Sequence, residues 1–384
     1  MSALRRHLAC TPAFASATTR ASAARGRYLQ RNLVADTVET GAENIDPNLV
    51  NPWGLAFDPT GVAWLSDHRT GVSTLYDGDG HPQALVVTVP PAVGGEDSRG
   101  KPTGLAWNGG PEFVVRQGPL SGPARCIFVS EDGGLAAWAP SVDAARAVRV
   151  FPHAFANNAV FTGLAIGADG ERALLYAADF RNNRVDVFDT DFSWIILAGN
   201  PFVDPQLAPG YAPFGIQAIH GDIYVTYARQ QAGGDGVDRL GPAQGGGCVS
   251  VFTPDGRFVR RLASDGVLNQ PWGLALAPAG FGSLGNRLLV ANAGDGAINA
   301  YDIASGEFAG SLCGADGRAI AIEGLRAIGF GNGLAHQPVD TLFFCAGPGD
   351  GNHGLYGRLD VASTGEQRHA AVPPGRHPRA PMTV

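Results

Sequence analysis

One short phrase recurs along the chain and limits its fold more than any other feature. A Pro or bulky residue and one variable residue precede Gly-Leu or Gly-Ile and a small apolar run. The full copies are Pro52-Trp53-Gly54-Leu55, Pro102-Thr103-Gly104-Leu105, Phe161-Thr162-Gly163-Leu164, Pro213-Phe214-Gly215-Ile216 and Pro271-Trp272-Gly273-Leu274. A sixth, degraded copy, Leu325-Arg326-Ala327-Ile328, is registered by Phe330-Gly331-Asn332-Gly333, which echoes Phe57-Asp58-Pro59-Thr60-Gly61. The five glycines lie 50, 59, 52 and 58 residues apart, and Ala327 follows after another 54. By length alone 384 residues would suggest two or three unlike domains, but a fixed period of this size points to one unit repeated six times.

Each copy leads into a second β-rich run, as in Trp64-Leu65-Ser66-Asp67, Tyr176-Ala177-Ala178-Asp179 and Leu289-Val290-Ala291-Asn292. A third run carries an aromatic and a turn former, as in Leu75-Tyr76-Asp77 and Val187-Phe188-Asp189, and a fourth, such as Phe258-Val259-Arg260-Arg261-Leu262, precedes the next copy. Four short strands per unit of about 50 residues, with no helical pattern between them, predict an all-β, six-bladed propeller of four-stranded antiparallel blades. The phrase itself suits the innermost strands, which crowd one axis where glycine lets backbones approach. The sixth unit lacks a fourth strand after Asp360, whereas Arg27-Tyr28-Leu29-Gln30-Arg31 resembles Arg257-Phe258-Val259-Arg260-Arg261 and has no blade of its own. The N-terminal strand is therefore expected to close the ring. The domain reading is a leader or targeting segment at 1–27, the propeller at 28–360 and a Pro- and Arg-containing tail at 361–384.

Charge excludes some partners. The leader holds five Arg and no acid and the tail a net two positive charges, so of the net −7 the body between them accounts for −14. With Lys101 its single lysine, such a body repels phosphate backbones, and nucleic acid is not expected as a partner. No stretch is long and apolar enough for a membrane span. Arg5-Arg6 and Ala15-Ser16-Ala17 have the form of an export signal and its cleavage site, which predicts a periplasmic or extracellular protein, expected as a monomer. The five cysteines, Cys10, Cys126, Cys248, Cys313 and Cys345, are odd in number and scattered, as buried single thiols would be.

Asn32-Leu33-Val34 together with Asp46-Pro47-Asn48-Leu49-Val50-Asn51-Pro52-Trp53-Gly54-Leu55-Ala56-Phe57 resembles the signature of an uncharacterised bacterial family of mostly exported propeller proteins. Asn269-Gln270-Pro271-Trp272-Gly273-Leu274 matches it again, while Arg326-Ala327 departs from its usual Trp-Gly. The resemblance implies six blades and export, and no established activity. The phrases also resemble NHL repeats and the calcium-dependent lactonases built on six blades. That second resemblance implies a divalent cation at the channel mouth, held by Glu, Asn and Asp side chains, one Asn preceding the inner-strand glycine. Here that position holds Trp53, Thr103, Thr162, Phe214, Trp272 and Arg326, none of them a carboxylate or amide. A hard cation needs several oxygen ligands, so this ring does not itself build the site.

The six pre-glycine residues are instead expected to bind a ligand, with indole faces for sugar rings or flat groups and Arg326 as a forked donor for a carboxylate or phosphate. The competing expectation is that Trp53 and Trp272 plug the channel while Arg326 pairs with Glu323. The chain is thus expected to be a module binding a small molecule or protein, with an anionic or glycosidic ligand at the channel mouth, and to need no cofactor. The alternatives are a protein-interaction scaffold and a lactonase-like hydrolase or lyase. For the latter, Asp67, Asp179 and Asn292 at second-strand ends are the candidate calcium ligands and His68 and His353, in corresponding loops of neighbouring blades, the candidate acid and base. The Gly-rich insertion at 229–247 is expected on the face of the His68 loop. No nucleophile elbow, zinc-binding helix or phosphate loop is present.

Overall fold

A computed structural model of the chain describes residues 27–95, 97–151, 158–231 and 246–362. Six antiparallel blades surround one axis, and their inner strands are Pro52–Phe57, Pro102–Trp107, Phe161–Asp169, Tyr211–Ile219, Pro271–Leu276 and Leu325–Phe330. These are the six phrases in order. Blades one to five take their four strands from consecutive sequence. In blade six, Leu342–Ala346 and Leu355–Val361 are followed by the N-terminal strand Arg27–Ala35. That strand runs antiparallel to Leu355–Val361 from Tyr28 opposite Val361 to Ala35 opposite Leu355. Short segments Asn44–Ile45 and Cys313–Gly314 add to it in parallel, so its outer edge is itself partly covered.

The repeated phrase is a β-bulge. In every blade the pairing of inner and second strands slips at or beside the pre-glycine residue, for example between Pro52 and Leu55 and between Pro213 and Gly215. A bulge re-aims the side chain it carries, and here it turns the pre-glycine residue toward the axis. The glycine that follows faces the neighbouring blade: a Cβ on Gly54 would lie 2.8 Å from both the Leu105 nitrogen and the Thr103 carbonyl, and one on Gly215 would collide with the Trp272 carbonyl. Ser66 accepts from the Gly54 nitrogen at 2.8 Å and donates to the Thr103 carbonyl, Thr103 donates to Phe161 at 2.7 Å and Thr162 to Phe214 at 2.7 Å. These bonds stitch blade to blade around the axis, each contributing about 1 kcal/mol.

Third-strand aromatics Tyr76, Trp138, Phe188, Phe252 and Tyr301 are buried between blades. The 59-residue spacing from Gly104 to Gly163 has a local cause, a hairpin of Val114–Gln117 and Leu120–Pro123 inserted after the inner strand of blade two. Cys126, Cys248, Cys313 and Cys345 are buried free thiols, while Cys10 lies outside the described residues. No helix among the described residues is long and apolar enough to cross a membrane. The leader, the tail beyond 362 and most of the 229–247 insertion also lie outside them.

Candidate functional site

The bulges bring all six pre-glycine residues to one end of the channel, where they pack as a plug. Trp53 of blade one meets Phe214 of blade four edge-on at 6.0 Å and Trp272 of blade five at 6.2 Å, contacts that cross the axis. The Trp272 indole donates to the Thr162 carbonyl at 3.1 Å. Trp53, Thr103, Thr162 and Phe214 are each at most 1% exposed. Arg326 lies over the Trp53 ring, its guanidinium carbon 4.5 Å from the ring centroid. Among the described residues its Nη1 reaches only the Leu325 and Gly324 carbonyls, at 3.1 and 3.4 Å, and its Nε is buried without a partner. Glu323, the expected counter-ion, accepts instead from the Gly349 nitrogen at 2.9 Å. Burial pushes the Arg326 pKa down to about 10, so the group stays charged at neutral pH while its environment disfavours that charge.

Beside the plug the two candidate histidines occupy neighbouring loops but engage different acids. His68 is buried, stacks on Trp53 at 5.8 Å and bonds Glu131 at 2.7 Å through Nε2, while Asn51 lies 3.3 Å from its Nδ1. Lys101 reaches the same Glu131 oxygen at 3.4 Å. His353 is half-exposed and pairs with Asp36 at 2.9 Å. The loops are tied through Asn51, whose nitrogen donates to the His353 carbonyl and whose carbonyl accepts from the His68 nitrogen.

The second-strand ends serve their own loops. Asp67 accepts from the Thr74 nitrogen and hydroxyl at 3.1 and 2.8 Å, and burial, with Asp46 nearby, holds its carboxyl well above the usual range. Asp179 accepts from the backbone of Val160 and Asn182, and burial raises it too. Asn292 donates to Val267 and Asp295. Among the described residues no group of three or more His, Cys, Asp or Glu side chains is placed to hold a metal ion.

Beyond the glycines the channel widens into a cavity of about 570 Å³ that opens on the opposite face, a site the sequence reasoning did not find. All six inner strands line it. The signal was present two and three residues after each glycine, where the phrases carry Gln217 in blade four and the aromatics Phe57, Trp107 and Phe330.

No family profile matches the chain. An uncharacterised protein of Acanthamoeba polyphaga mimivirus is 34% identical over 330 residues, covering 83% of this chain and 76% of that one. A second uncharacterised mimivirus protein is 33% identical over 327 residues, covering 83% and 82%. These relatives are viral, where the resemblance read from the sequence implied a bacterial family, and their descriptions name neither an activity nor export. A solved glucose dehydrogenase superposes with a TM-score of 0.53 over 87% of this chain and 100% of its own, at 16% identity, a likeness of fold alone.

Proposed function

We propose, for a chain that belongs to the same family as these two mimivirus proteins, a binding propeller that seats a small carboxylate- or phosphate-bearing ligand on Arg326 at the closed end of the channel. The observation that carries this reading is a guanidinium over the Trp53 ring with no carboxylate within reach among the described residues. Burying a charge without a counter-ion is costly. The Trp53 face returns about 1–2 kcal/mol of that cost and the two carbonyls rather less. A purely structural plug would do better with an apolar side chain at this position. An incoming anion supplies the missing charge, and the planar fork of the guanidinium suits two oxygens at once.

The experiment is a thermal-shift comparison of the wild type and Arg326→Met in phosphate, sulfate and citrate against chloride at matched ionic strength. The free Arg326→Met protein is expected to melt at or above the wild type, because an apolar chain removes a part-buried charge that has no counter-ion among the described residues. The wild type alone is expected to gain stability from one of the anions, reaching about 2.7 kcal/mol at a hundredfold excess over Kd. Loss of stability in Arg326→Met with no anion response in the wild type would refute the reading. Stoichiometric calcium surviving dialysis, with function lost on chelation, would favour the hydrolase or lyase instead.

A further inference from the structure

The cavity at the open end of the channel differs in chemistry from the plug and does not depend on Arg326. Each inner strand is the edge strand of its blade on the axis side, so its free edge, with backbone N–H and C=O groups that no further strand pairs, looks onto the axis. Six such edges make a wall of neutral donors and acceptors. Two residues past the glycine, the ring reads Ala56, Ala106, Ala165, Gln217, Ala275 and Gly329. Five positions are small and put at most a methyl group on the strand. The sixth is an exposed amide whose side chain makes no hydrogen bond among the described residues. Around it stand Phe57, Trp107 and Phe330, all half-buried; no Asp, Glu, Lys or Arg lines the cavity, and the exposed His220 is the one titratable side chain in its lining.

This combination narrows the occupant. An ion would be desolvated against a wall of backbone edges and apolar side chains in which only His220 can carry charge. A purely apolar molecule would displace water from six strand edges and leave their polar groups unpaired, at about 1–3 kcal/mol for each group fully buried. A neutral ring bearing hydroxyls meets both demands, because its hydroxyls pair with edge groups and the Gln217 amide while its C–H face lies on an aromatic side chain. The volume falls within the usual range of small-ligand sites, about 300–1,000 Å³. We propose that the open end of the channel is a second binding site, specific for an uncharged sugar of one or two rings and reading it through Gln217, Trp107 and the inner-strand edges.

The test is isothermal titration of the full chain with methyl β-glucoside and cellobiose, alongside glucuronate and glucose 6-phosphate as charged counterparts and cyclohexylmethanol as an apolar one. Saturable binding of a neutral sugar is expected, together with a change in tryptophan fluorescence. Gln217→Ala and Trp107→Phe should each weaken it tenfold or more, whereas Ile196→Ser, at a residue 84% exposed and outside the cavity lining, should leave it unchanged. Should Trp107→Phe fold poorly, Gln217→Ala alone decides, since its exposed side chain carries no packing. Preference for either charged sugar, binding of cyclohexylmethanol alone, binding indifferent to Gln217, or no binding at millimolar concentrations would each overturn the proposal.

Discussion

The two ends of the channel are built from the same six strands, a few residues apart, yet they differ in almost every physical respect. At the bulged end side chains are thrown inward, three large aromatics meet across the axis, and a charge is held without a counter-ion among the described residues. At the other end the strands run regularly, side chains alternate toward the spaces between blades, and the axis is left to backbone edges and a neutral amide. A one-residue irregularity per strand therefore decides whether a propeller channel is a plug or a vessel. Stability is concentrated at the first end and accessible volume at the second.

That contrast can be broken in several ways. The largest effect should fall on both ends alike: removing residues 1–36 takes away the outer strand of blade six and should abolish folding or cause aggregation, whereas removing 1–26 should leave the melting temperature nearly unchanged. Equal stability of the two truncations would mean that the ring does not need this strand. Next, Trp272→Ala at the plug should cost about 3–5 kcal/mol, and Phe57→Ala at the half-buried lip of the open end about 1–2 kcal/mol, in urea denaturation. Similar costs would erase the distinction between the ends.

The smallest effect concerns Asp67, next to the plug. Its raised carboxyl binds a proton more tightly in the folded chain than in the unfolded one. The stability this confers is complete below about pH 4 and is lost as pH rises through the folded value. Asp67→Asn cannot titrate, so it should gain on the wild type progressively as pH rises from about 4.5 to about 8. A constant difference across that range would show that Asp67 is ionised throughout.

Blade number and ring closure were legible because both are matters of period and strand pattern. Six phrases at near-equal spacing count the blades, and Tyr28 to Arg31 repeats the character of Phe258 to Arg261 closely enough to identify an outer strand in search of a sheet. The convergence of Trp53, Trp272 and Arg326 was legible for the same reason. What they do there was not, because a bulge changes the direction of a side chain without changing its spacing. Glu131 lies 63 residues from His68 and meets it only because blades one and two are adjacent, and Glu323 sits near Arg326 in sequence but turns to Gly349. The open cavity escaped notice because its wall is largely backbone, which side-chain motifs do not report.

Ring closure also sets a clock. Tyr28 is made before its partner Val361, which follows more than 330 residues later. At roughly 5–20 residues per second the first strand waits about 15–70 s on the ribosome before its partner exists. Throughout that interval its apolar positions, Tyr28, Leu33 and Val34, all buried in the finished protein, have no blade to join. Closing the ring thus joins a strand made early in the propeller to one made more than 330 residues later. Whatever shields the first strand in the meantime, an early partial ring or a chaperone, governs how much of each synthesis ends in a closed propeller.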